Sequence, residues 1–136
     1  MWTPDEFAAS WAKENNCKAV PSGAAAANYL GISNQVPAKI VYYTDCETQT
    51  AYIDGLPFVF IHHNIDGLQD DIPSLVVLAV EWIGERQITE HMTDKISRVL
   101  TIDDIDILRE RARCFPVWIR FVVEVIICRV EGDARR

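Results

Sequence analysis

The strongest constraint on this chain is a run of small residues closed at both ends by turn chemistry, Pro21-Ser22-Gly23-Ala24-Ala25-Ala26-Ala27-Asn28-Tyr29-Leu30-Gly31. Alanine has the highest helix propensity. Ser22 is a natural N-cap, because its hydroxyl can accept a backbone N–H two or three residues on. Gly31 suits the left-handed position that ends a helix, and Leu30 supplies the adjacent apolar contact. A helix with so little side-chain bulk can lie very close to a neighbouring element. Residues 18–21 read as a short strand before it. Pro37 bars helix at Val36, and residues 39–43 follow as a β-branched and aromatic strand.

The flanking segments extend this strand–helix–strand unit. Thr3, Pro4, Asp5 and Glu6 open a first helix over residues 3–13, with Phe7, Ala8 and Trp11 on its apolar face. Asp54-Gly55 predicts a hairpin between residues 50–53 and 56–61. Read in sequence order with the strand at 39–43, these make an antiparallel meander. Ser74 is expected to cap an apolar helix that ends at Gly84. Thr93 is expected to cap a short turn to Leu100, and Thr101 with Asp104 resembles a capping box. Pro116 starts a last helix lined by Trp118, Phe121, Val122, Val125 and Ile126, with Arg120 and Glu124 as an i,i+4 pair. The expectation is an α+β fold. One domain over residues 1–136 holds a small antiparallel meander of three to four strands packed with helices, and its C-terminal part, residues 74–130, is all helical.

Charge narrows the function classes. The net charge is −7, and nucleic-acid binding needs a basic face. Residues 1–85 carry eleven acids and three bases, whereas residues 86–136 carry nine acids and ten bases. Arg109, Arg111 and Arg113 are therefore the candidate nucleic-acid contacts, although a solvated helix face reads the same way. Apolar runs are too short to span a membrane. The acidic first residues do not resemble a leader, so a cytoplasmic location is expected.

The candidate chemistry is sparse. Cys17, Cys46, Cys114 and Cys128 form no C-x-x-C pair. Reduced thiols are expected, with no zinc site and no cofactor. Ser22 is not a nucleophile elbow, because Val20 and Ala24 stand where that turn needs glycines. His62 and His63 are adjacent on a strand, point to opposite faces and cannot readily share one metal. No catalytic constellation emerges, and a ligand site at the Ser22 turn with Gln35 and His62 or His63 is the enzymatic alternative.

One resemblance sharpens this. Val20-Pro21-Ser22-Gly23-Ala24, Leu30-Gly31, Ser33-Asn34-Gln35-Val36-Pro37-Ala38 and Thr44-Asp45 resemble the core motif of the domain that follows the winged helix in AbiEi-family antitoxins. The similarity is strongest over residues 18–62, and Pro116-Val117-Trp118 fits it more loosely. It implies a non-catalytic regulatory protein of a toxin–antitoxin or phage-defence system. Its implied partner is a cognate toxin or a regulatory protein, and a homodimer is a further expectation. The motif residues Pro21, Ser22, Gly23, Asn28, Gln35, Pro37, Thr44 and Asp45 are the candidate interaction positions. Cys46 stands where those relatives usually have glycine. No winged helix is read ahead of the motif, so autorepression is not expected of this chain.

Overall fold

A computed structural model describes residues 3–35 and 39–134. The described residues fall into two compact units, the first within Met1–Ser22 and Val36–Asp66, the second within Gly23–Gln35 and Gly67–Arg136. The fold is α+β, with six α-helices and four strands among the described residues.

The first unit begins with α1 (Pro4–Glu14), capped as expected by Thr3, whose Oγ1 accepts the Glu6 N–H at 3.3 Å. Four strands follow, β1 (Ala19–Pro21), β2 (Ile40–Thr44), β3 (Gln49–Ile53) and β4 (Leu56–His62). The β3–β4 hairpin turns at Asp54 and Gly55, with φ of 54° and 78°, the left-handed pair a two-residue hairpin requires.

The expected meander is not formed. The sheet order is β1-β2-β4-β3, and β2 pairs in parallel with β4, from Ile40 opposite Phe58 to Thr44 opposite His62. The physical reason lies in the alternation of side chains. Phe58 and Phe60 of β4 are buried, whereas β3 is largely exposed along its length. The strand with two inward phenylalanines takes the central place, and the polar strand takes the edge. Around those phenylalanines the core gathers Ala8, Trp11 and Ala12 of α1 with Tyr42 of β2. Trp11 stacks on Phe60 with ring centroids 3.7 Å apart. The buried Tyr42 hydroxyl donates to the Asp5 carboxylate, tying β2 to the first turn of α1. Burial first, and then that bond, push the phenol's pKa well above its ordinary value.

The second unit is helical. It comprises α2 (Gly23–Tyr29), α3 (Ile72–Ile83), α4 (Glu90–Ser97), α5 (Asp104–Ala112) and α6 (Val117–Ala134), with a 3-10 turn at Glu85–Gln87. The alanine helix packs on α3 as its lack of bulk allows. A Cβ placed on Gly23 would lie 2.9 Å from the Leu78 carbonyl oxygen and would overlap Trp82. Ala26 and Ala27 are fully buried. Gly31 ends the helical segment with φ of 75°.

Three local expectations are corrected. Asp71, not Ser74, caps α3, because its Oδ1 accepts the Ser74 N–H at 2.9 Å while Ser74 Oγ accepts the Gln69 N–H at 2.8 Å. Thr89, not Thr93, caps α4 by accepting the Met92 N–H. Thr93 lies inside that helix, where its hydroxyl donates to the Glu90 carbonyl. On α6 the buried positions are Ile119, Val123, Ile126, Ile127 and Val130, so Phe121 and Val125 belong to a second apolar face. Among the described residues, no helix is long and apolar enough to cross a membrane.

Candidate functional site

The motif residues do not converge on one site, and several have evident structural work. In the first unit, β1 pairs antiparallel with β2, Ala19 opposite Thr44. Continuing that register sets Lys18 opposite Asp45 and Cys17 opposite Cys46. The Asp45 carboxylate accepts the Lys18 N–H at 2.8 Å. The buried Thr44 hydroxyl donates to the Lys18 carbonyl at 2.8 Å and accepts the Cys46 N–H at 3.2 Å. Thr44 and Asp45 thus extend the strand pair by side chain where backbone pairing stops. Pro21 closes β1, and Ser22 behind it is 4% exposed.

The same register overturns the expectation of four free thiols, because Cys17 and Cys46 are joined by a disulfide with Cα atoms 5.9 Å apart. Their separation of 29 residues hid them in the sequence. The usable signal is that each stands two residues outside a strand of one antiparallel pair. Cys114 and Cys128 are exposed and take no part in a disulfide among the described residues. The two histidines diverge as strand alternation requires. His62 Nδ1 donates to the Cys46 carbonyl at 2.9 Å, and the His63 ring stacks on Tyr43 with centroids 4.2 Å apart.

In the second unit, Gly23 gives α2 its close approach to α3. Asn28 Nδ2 donates to the Gln35 carbonyl at 3.2 Å and holds the chain leaving α2. The Gln35 N–H donates to Ser33 Oγ. Pro37 lies outside the described residues.

The three candidate nucleic-acid arginines are each paired with acids. Arg109 makes two bonds to Glu124, of 2.7 and 3.1 Å, so Glu124 is bound across helices rather than to Arg120. That guanidinium first, against a small desolvation, holds the Glu124 carboxyl below its usual range. Arg111 donates through Nε and Nη2 to Asp71 at 3.0 and 2.7 Å. Burial raises the Asp71 carboxyl, but the bonds from Arg111 and Ser74 outweigh it and leave its pKa lowered. Arg113 sits 3.7 Å from Glu110.

The feature with room for a partner lies elsewhere in the second unit. Ile88 and the N-terminal turn of α4 face Trp118, Phe121, Val122 and Val125 of α6 across an apolar groove of about 710 Å³. Val117 and Phe121 are each 70% exposed. With Val125 they recur at i, i+4 and i+8, a second apolar stripe on a helix whose other stripe is buried. Arg129 bridges Glu90 at 3.0 Å and Asp94 at 3.6 Å along one side. The sequence marks Trp118, Phe121, Val122 and Val125 as apolar lining of this helix but not Val117, and apolar character alone does not tell which of them stay uncovered.

Residues 1–108 match the model described as a family of unknown function (DUF6088). No curated protein and no solved structure matches the chain.

Proposed function

The chain belongs to the DUF6088 family of unknown function, and we propose, from its surface and its motif resemblance, that it is a non-catalytic, antitoxin-like regulatory protein that acts in the cytoplasm by holding a partner protein. The observation that carries this reading is the groove between α4 and α6, with Val117 and Phe121 exposed along its α6 side. Burying a side chain of that size contributes about 1.5–3 kcal/mol, and an uncovered stripe of this kind marks an interaction surface. The occupant that suits it is an amphipathic helix laid along α6, whose apolar positions would meet Val117, Phe121 and Val125 in turn. The motif resemblance supplies the class of partner, a toxin or a regulatory protein. The paired arginines give a nucleic-acid role no comparable support.

The test is growth of cells expressing the adjacent reading frame, with and without this chain. Growth arrest relieved by the wild-type chain, and not by a stably folded Phe121→Glu variant, is the expected result. Arrest that the wild-type chain leaves untouched, or relief that survives Phe121→Glu, overturns the reading.

A further inference from the structure

The first unit carries a second cluster that the interaction reading does not use. At the open end of the β1–β2 pair, the sulfurs of Cys17 and Cys46 and a carboxylate oxygen of Asp45 all lie within 4.8 Å of one another. His62 and Glu47 line the same cavity, of about 440 Å³. We propose that this cluster, once the disulfide is reduced, is a binding site for a thiophilic divalent cation such as zinc, and that the Cys17–Cys46 disulfide is its closed, metal-free state.

The chemistry follows from the ligand types. Two thiolates with a carboxylate or imidazole are a soft-to-borderline donor set of the kind zinc selects. Thiolates on one tetrahedral zinc, each about 2.3 Å from the metal, sit roughly 3.8 Å apart. Residues opposed across an antiparallel pair reach that separation by side-chain rotation, without moving the strands. Asp45 is held in place because its Oδ1 accepts the Lys18 N–H, and its second oxygen has lone pairs for a cation. The carbonyl that His62 Nδ1 meets can only accept, so that nitrogen carries the proton.

The two states interconvert with a balanced exchange. Two equivalents of an external thiol reduce the disulfide and become a disulfide themselves, leaving one proton on each cysteine sulfur. Zinc then displaces those two protons and takes both thiolates.

The experiment is a titration of the full chain with Zn²⁺, and with Co²⁺ for its thiolate charge-transfer absorption, on the oxidised and the reduced protein. The reduced protein should bind one ion per chain at least about 100-fold more tightly than the oxidised protein, with the absorption band of two thiolate ligands. Asp45→Asn should weaken binding about 10- to 100-fold while keeping that band, and the C17S/C46S double variant should lose both. Comparing the oxidised and reduced forms of one sequence keeps the test valid if a variant fails to fold. Equal binding by both forms, or a reduced protein that takes up cobalt without the band or takes up no metal, overturns the site. Wild-type affinity in Asp45→Asn removes Asp45 from it.

Discussion

The two units of the chain are held together with different materials. The first sets one short helix on a four-stranded sheet, and its core is a handful of aromatic rings around Phe58 and Phe60. A cross-link at the sheet's end supplements that core. The second buries a long list of aliphatic residues from five helices, Val76, Val77, Leu78, Ile96, Ile119 and Ile126 among them. It adds caps and ion pairs at helix ends rather than a covalent tie. The difference teaches what size demands. A small sheet buries too little to be secure without a staple, whereas a helical bundle with an aliphatic core is not so limited.

Reducing the disulfide in metal-free buffer is the strongest way to break that contrast. Closing a loop of 29 residues stabilises by about 3–4 kcal/mol in the chain-entropy model. Reduction should therefore lower the melting temperature of the first unit. Hydrogen exchange should localise the loss to the sheet, and loss of protection spread equally over α3 and α6 would argue against two separately stabilised units. Next in size, Gly23→Leu should destabilise the second unit by about 1–3 kcal/mol through overpacking against α3. Denaturant unfolding measures it, and a neutral result would mean that α2 shifts freely.

Asp71→Ala removes a helix cap and leaves Arg111 without its carboxylate. A cost of about 1–2 kcal/mol is expected for the cap, again by denaturant unfolding. Asp71 also sets a pH dependence. Its folded pKa is lowered, so its contribution is complete above the unfolded value of about 3.9. That contribution fades as pH falls through the lower folded value. Asp71→Asn should lower stability near neutrality and flatten this part of the acid limb, which denaturant unfolding across pH measures. The smallest effect is expected for Phe121→Ser, which should change stability by less than about 0.5 kcal/mol because the side chain is mostly exposed. A large loss would place Phe121 in the core and remove the groove's claim to a partner.

What could be read from the sequence was local. The Thr3 cap, the Asp54-Gly55 turn, the alanine helix and its glycine stop all depend on residues within one turn of each other, and all stand in the structure. The mistaken caps at Ser74 and Thr93 were near misses of the same local kind. A better acceptor stood three or four residues upstream at Asp71 and Thr89. Long-range pairing was not legible. Whether the strand at Ile40–Thr44 meets β3 or β4 depends on which strand buries phenylalanines, and the hairpin alone does not say. The disulfide depends on that sheet's register, and so does the pairing of Asp45 with Lys18. The face of α6 that is buried was equally hidden, because apolar residues run nearly all round it. Of the candidate site, the motif is visible in the sequence, but several of its residues are accounted for by strand-end hydrogen bonds, the bond from Asn28 to the chain leaving α2, and close packing at Gly23.

The order of the chain has a consequence for synthesis. Each unit is discontinuous, for the alanine helix is made between two segments of the sheet-bearing unit. Gly23 leaves the ribosome about 55 residues before Leu78, the residue its backbone packs against. At roughly 5–20 residues per second, the helix waits about 3–11 s for its partner. A leucine-rich helix would spend those seconds offering a sticky surface to other nascent chains. Four consecutive alanines offer little to stick to, so the composition that permits tight packing at the end also keeps the segment inert while it waits.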